Sequence, residues 1–198
     1  MGKQTIIALS REYGSGGHEI AEKLSKRLNL PFYDRNLLDS IALEKNVSGI
    51  KLQQYDEKPR NRLLSRTIRG ESNSPEEIIA NMQFDYIKKK AHSGESFVIV
   101  GRCAEHVLKG YEGLITIFIL GDIDARIKRV EDIRDVDAKE AEAIINRHDK
   151  KRKSYHNYHC DSRWGDSRGY DVTMNSTRLG VDATIDVLED YIRRRMEI

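Results

Sequence analysis

The feature that most constrains this chain is a short apolar run that breaks into glycines. Residues 5–9, Thr-Ile-Ile-Ala-Leu, are nearly all apolar and rich in β-branched side chains. That is the pattern of a parallel strand buried on both faces. Residues 10–17 form a turn ending in Gly14-Ser15-Gly16-Gly17. Ile20, Ala21, Leu24 and Leu28 then recur at helical spacing, which predicts a helix over 18–29. A strand that turns through glycines into a helix presents backbone N–H groups and a positive helix end to an anion. Three glycines in four positions let the backbone wrap that anion without a Cβ in the way. The expectation is a loop that holds a nucleotide by its phosphates; the plainer alternative is a tight turn with no ligand.

The alternation of strand and helix continues. Pro31-Phe32-Tyr33 reads as a second strand closed by Asp34, with a helix over 36–45. Residues 47–73 are polar, carry Pro59, Arg60, Arg62, Arg66 and Arg69, and read as a helical insertion or a flap with little core. Ser74-Pro75-Glu76-Glu77 is a helix start with Ser as cap and Pro at the first helical position. That helix runs to about His92, and Gly94 stops it. Residues 97–100 and 114–120 are buried strands, Asp122 caps a following helix, and 138–158 is a long charged helix. A polar loop over 161–169, a strand over 170–174 and an amphipathic helix over 181–195 complete the chain. Apolar strands alternating with helices predict an α/β fold: a parallel five-stranded sheet with helices on both faces, in three layers. Right-handed crossovers place ligands at the C-terminal ends of such strands.

Several side chains fall at those ends. Aligned on Gly16, the loop differs from the pattern G-x-x-x-x-G-K-[ST] at three places. Arg11 stands for the first glycine, Gly17 for the lysine and His18 for the hydroxyl residue. The lysine ordinarily reaches the terminal phosphates and the hydroxyl holds magnesium. Arg11, His18 and later arginines are the candidates to supply the missing cation. Glu19 reads first as an acid of the opening helical turn. Asp34 either points into the site or caps the next helix, and one residue can do both. Arg102 follows a buried strand, and its guanidinium can fork onto a phosphate. Arg126, Lys128, Arg129 and the run Asn146-Arg147-His148-Asp149-Lys150-Lys151-Arg152-Lys153 are mostly solvated faces, of which a few can close over phosphates. Tyr155, Tyr158 and Trp164 either stack on a base or pack, and Arg178 can flank a base.

Composition excludes other classes. The 198 residues suffice for one core, and 34 basic against 32 acidic side chains leave a net charge of +2. That balance offers no bulk attraction to a nucleic acid polymer or an anionic membrane. Two cysteines make no disulfide framework and read as reduced cytosolic thiols. The six histidines show no zinc-ligand spacing, so no protein-bound metal is expected. No signal peptide and no apolar run of roughly 20 residues is present, which gives a cytoplasmic expectation.

Taken together, Ile-Ala-Leu-Ser-Arg-Glu-Tyr-Gly-Ser-Gly-Gly at 7–17, Pro-Phe-Tyr-Asp at 31–34 and Val-Gly-Arg-Cys-Ala at 100–104 resemble the cytidylate kinase-like family. So do Asp149-Lys150-Lys151-Arg152, Trp164-Gly165-Asp166 and Asn175-Ser176-Thr177-Arg178-Leu179-Gly180. The resemblance covers nearly the whole chain and is weakest at 47–73. It implies a P-loop kinase fold in a single kinase-like domain over 1–198, with an acceptor-binding helical region at 35–94 and a lid region at 122–169. It implies transfer of the γ-phosphate of ATP, with Mg2+, to CMP, dCMP or a related monophosphate. Carried over by position, Arg11 and Gly14 to His18 hold the donor, and Asp34 and Arg102 the acceptor. Arg126 and Arg129 lie at the lid base, Asp149 and Arg152 in the lid arm. Authentic cytidylate kinases carry the loop lysine and an Asp where Cys103 stands. Two alternatives therefore remain: a catalytically weak or inactive nucleotide-binding regulatory protein, and a kinase of another small molecule.

Overall fold

The computed structural model describes residues 4–34, 36–45, 56, 67–68, 71–72 and 74–197. Strand β1 (Ile6–Arg11) leads through the glycine turn into helix α1 (Gly17–Arg27). Next come β2 (Phe32–Tyr33) and α2 (Leu37–Lys45). Most of 47–73 lies outside the described residues. The described part, β3 (Thr67–Ile68) and β4 (Glu71–Ser72), pairs as an antiparallel hairpin, where the sequence had suggested helix or flap. Helix α3 (Pro75–His92), β5 (Phe97–Val100) and the short α4 (Ala104–Val107) follow, then β6 (Leu114–Leu120). Helices α5 (Ile123–Arg134) and α6 (Ala138–His159) form an antiparallel-reading pair before β7 (Val172–Asn175), α7 (Ser176–Leu179) and α8 (Val181–Glu197).

The main sheet has five strands in the order β2-β5-β1-β6-β7, every pair parallel. Side chains of a strand alternate between faces, and β1 shows the consequence. Ile7 and Leu9 pack with Ile20 and Leu24 of α1 and Ile185, Leu188 and Ile192 of α8. Ile6 and Ala8 turn the other way, onto Leu38 and Ile41 of α2 and Ile79 and Ile87 of α3. Both faces are thus covered, which is why these strands carry no polar alternation. The three-layer α/β arrangement is the one the sequence pattern predicts. Helix starts are more individual. Asp137 caps α6 by accepting from the Glu140 N–H at 2.8 Å. Ser74 precedes α3 as expected, but its hydroxyl donates to Glu76 Oε2 at 2.5 Å instead of capping.

Helices α5 and α6 have a small core of their own, built from Val130, Ala141 and Ile145. Tyr13 of the glycine turn packs into it. The arm is therefore seated on the turn it was expected to cover. Among the described residues no helix is long and apolar enough to cross a membrane.

Candidate active site

A cavity of about 300 Å³ opens at the C-terminal edge of the sheet. Gly14, Gly16, Gly17 and His18 of the loop line it, together with Arg11, Asp34, Arg102, Arg129 and Arg152. Residues from five separate stretches of the chain meet there because β1, β2 and β5 all end at this edge and α5 and α6 lie across it. Gly14 and Gly16 hold φ of 81° and 77°, values that L side chains rarely adopt. Gly17 has a different constraint. A Cβ there would lie 2.5 Å from Arg11 Cβ and 3.3 Å from Ile119 Cβ, both fixed on sheet strands. Ser15 is buried, with its Oγ donating to the Glu12 carbonyl at 2.9 Å and accepting from the Gly17 N–H at 3.3 Å. The Ser176 hydroxyl holds the loop from below through the Ser15 carbonyl.

The turn is held from above by an ionic knot. The Arg126 Nε donates to the Tyr13 carbonyl at 2.7 Å, and its guanidinium pairs with Glu12 at 3.1 Å and with Asp149. Asp149 in turn accepts from the Tyr13 N–H at 2.8 Å. Glu12 also accepts from the Gly121 N–H at 3.0 Å. Arg126 and Asp149 therefore stand behind the loop and outside the cavity lining. Arg152 reaches forward: it donates to the Arg11 carbonyl at 3.1 Å and lies 5.5 Å over the Tyr13 ring. Arg129 is tied to Glu19 at 2.5 Å. Lys23 first and Arg129 second hold the Glu19 carboxyl below its ordinary range.

Asp34 carries out both roles open to it in the sequence. Its Oδ1 accepts from the Asn36 N–H at 2.9 Å, starting α2, and its Oδ2 stands 2.9 Å from His18 Nε2. Arg102 is buried, with 1% of its side chain exposed, and donates to Asp56 at 2.7 Å. It sits in a turn of three consecutive left-handed residues, Gly101 at 76°, Arg102 at 60° and Cys103 at 53°. Two of the three are not glycine, so the turn stores strain that its surroundings must hold. The aromatic candidates pack: Trp164 is edge-on to Phe118 at 5.3 Å, and Tyr155 is buried. Arg178 pairs with Asp122 at 3.1 Å on an exposed surface.

Sequence reasoning passed over Tyr13, Arg134 and Asp56. Tyr13 is the hub: His148 stacks on it at 4.2 Å and 9°, and Arg134 Nη2 donates to its hydroxyl at 2.9 Å. Being the one aromatic inside the loop motif was its only signal. Asp56 had none, since an acid in a polar insertion is unremarkable.

The His148 stack gives a pH-dependent contact. Burial, then Arg152, Arg147, Lys151 and Arg134, hold its pKa below the ordinary imidazole value of 6.5. The unfolded chain therefore binds this proton at higher pH than the folded one. The stability contributed is present above 6.5 and is lost as pH falls through it toward the folded value. Denaturant unfolding followed from neutral to mildly acid pH should show this loss. His148→Phe, which keeps a ring on Tyr13, should flatten that part of the profile; an unchanged profile would exclude the assignment.

A family model described as the cytidylate kinase-like family matches residues 6–178. The chain belongs to that family. An uncharacterized protein from Eubacterium ventriosum ATCC 27560 is 40% identical, with a TM-score of 0.76, 96% of this chain and 99% of that one being covered. Shikimate kinase from Bacteroides thetaiotaomicron shares 14% identity with a TM-score of 0.56, over 96% and 98% of the two chains. A gluconokinase from Sinorhizobium meliloti 1021 shares 10%, with a TM-score of 0.53 over 100% and 96%. These last two show the fold, an α/β P-loop kinase fold. No curated protein matches the chain. In the glycine turn, Gly17 stands where the pattern G-x-x-x-x-G-K-[ST] has its lysine.

Proposed function

We propose that this chain transfers a phosphoryl group from ATP to a nucleoside monophosphate, CMP or dCMP foremost. Membership of the cytidylate kinase-like family and the P-loop kinase fold support phosphoryl transfer. The observation that carries the reading is the convergence of the glycine loop with Arg11, Arg102, Arg129 and Arg152 on one cavity. Phosphoryl transfer asks little covalent chemistry of a protein. It requires donor and acceptor in line and neutralisation of the charge on the transferred group. Guanidinium groups around a glycine loop fit a polyphosphate, and cavity carboxylates fit a hard cation. Asp34 and Glu19 are the lining carboxylates that would hold magnesium, which neutralises the phosphate oxygens when bound with the nucleotide. In this reading the loop grips the donor, and Arg129 and Arg152 take the charge that the lysine bears elsewhere. Arg102 exchanges Asp56 for the acceptor phosphate. Arg126 and Asp149 set the loop and the lid arm, 122–169, in register.

The test is ADP release with Mg2+ and ATP across CMP, dCMP, UMP and the other monophosphates, with shikimate and gluconate as non-nucleotide acceptors. Turnover with a cytidine monophosphate supports the reading. Turnover with a sugar or hydroxy acid alone would assign the chain to another small molecule. A second reading rests on Gly17 in the lysine position: nucleotide binding without transfer. Thermal stabilisation by ATP with no turnover on any acceptor would establish it in place of the first.

Gly17→Ala separates the loop from the rest of the cavity. The clash with Arg11 Cβ obliges the backbone to move, and nucleotide affinity should fall at least about tenfold, or roughly 1.4 kcal/mol. Affinity within twofold of the parent, read by titration calorimetry, would show that the nucleotide sits elsewhere.

A further inference from the structure

A second cluster of reactive side chains lies outside the cavity, just past the strained turn at 101–103. Glu105 belongs to α4, His156 lies in the last turn of α6, and Cys160 ends that helix as its cap. One donor atom from each stands within 4.8 Å of the others, and all three residues are buried. Cys103 stands beside this group, its thiol hydrogen-bonded to that of Cys160. Sequence spacing explains the meeting. His156 and Cys160 are four apart, so they lie one helical turn apart on one face.

The polar atoms of this cluster are poorly satisfied. Glu105 Oε1 and His156 Nε2 are 2.8 Å apart, with 4% and 5% of their side chains exposed. The two form an ion pair, whereas the buried His156 Nδ1 has no partner in hydrogen-bond geometry. Ala80, Tyr155, Phe84 and Val107 pack on the two cysteines, and Arg11, Arg102 and Arg152 line a small space with Cys103 and His156. Buried polar atoms without partners are rare in folded proteins and need an explanation. A carboxylate, an imidazole and a sulfur with donor atoms within 4.8 Å of one another are the donors that a borderline-soft divalent cation selects. Magnesium, which takes oxygen ligands in an octahedron, does not suit them. Among the described residues this is the one such group of His, Cys and acidic side chains.

We propose that Glu105, His156 and Cys160 form a buried site for a zinc-class divalent cation, with Cys103 beside it. The site ties the end of the lid helix α6 to the turn that presents Arg102. It supplies the restraint that two consecutive left-handed non-glycine residues require. It is structural and lies beside the phosphate cavity, behind Arg102 and Arg152, and it stands or falls independently of the transfer activity proposed above.

The experiment uses tag-free, reduced, chelator-treated full-length protein titrated with Co2+. The chain has two cysteines, so any thiolate-to-cobalt charge-transfer band in the unmutated protein reports Cys103 or Cys160. The expected result is such a band with tetrahedral d–d transitions, saturating at one equivalent, reversed by Zn2+ and unaffected by Mg2+. Zn2+ should also raise the melting temperature of the chelated protein by several degrees, which shows that the folded chain is the binder. Cys160→Ser and His156→Gln should abolish the band. If either variant fails to fold, the titration of the unmutated protein still decides. Absence of the band at stoichiometric Co2+ in folded, reduced protein overturns the proposal, as does a band that survives Cys160→Ser alone. ADP release is followed in parallel and enters neither outcome.

Discussion

Arg126→Ala is expected to lower the unfolding free energy by about 3 kcal/mol, the cost of removing one member of a buried ionic group. Arg126 has 7% of its side chain exposed, and its two carboxylate partners, Glu12 and Asp149, are themselves mostly covered. Without the guanidinium both carboxylates lose their counter-charge, and the Tyr13 carbonyl loses its donor. For a chain of this size that corresponds to a fall of about 6–12 °C in melting temperature. The loss should be larger than that of Asp149→Asn, because an amide oxygen can still accept from the Tyr13 N–H. Thermal and denaturant unfolding of both variants provide the check. A shift under about 1 kcal/mol for Arg126→Ala would mean that the knot does not hold the loop, and would return Arg126 to consideration as a group acting directly on phosphate.

Arg152→Ala is expected to reduce kcat about a thousandfold, the lower range for an arginine that stabilises charge in phosphoryl transfer, with nucleotide affinity nearly unchanged. Arg152 lines the cavity and reaches the loop through the Arg11 carbonyl and the Tyr13 ring. Those two contacts cost about 1 kcal/mol of stability when lost, so the folded protein should survive the substitution. Arg152→Lys keeps the charge but not the planar fork, and should recover only part of the rate. Steady-state kinetics with saturating ATP distinguishes the cases. A kcat within tenfold of the parent would remove Arg152 from the transfer step and leave Arg129 as the cation facing the loop.

The contrast between these two arginines shows where the sequence stops being informative. Both sit in basic stretches on charged helices, and nothing in the spacing distinguishes them. In the fold, Arg126 turns behind the loop, where Glu12 and Asp149 wait for it, while Arg152 turns into the cavity. Arg102 was legible because it ends a buried strand, a position that topology alone assigns to the ligand edge. Its partner Asp56 was not, because the contact spans 46 positions and joins two segments with no common periodicity. The same holds for the Cys103, Glu105, His156 and Cys160 cluster. Spacing rules find metal ligands that lie close along the chain, whereas these come from two elements brought together by packing.

The sequence by itself determined the strand–turn–helix of the glycine loop, the parallel sheet and its two helical layers. Strand hydrophobicity, helical periodicity and the backbone freedom of glycine are local properties, readable within a dozen residues. Only the tertiary structure decided that the α5–α6 pair rests on the loop through Tyr13, and which arginines face the cavity. It also decided which polar groups are left buried together at the far side of the Arg102 turn. Each of those depends on the direction of a side chain relative to a distant neighbour. Long-range packing sets that direction, and no local pattern encodes it.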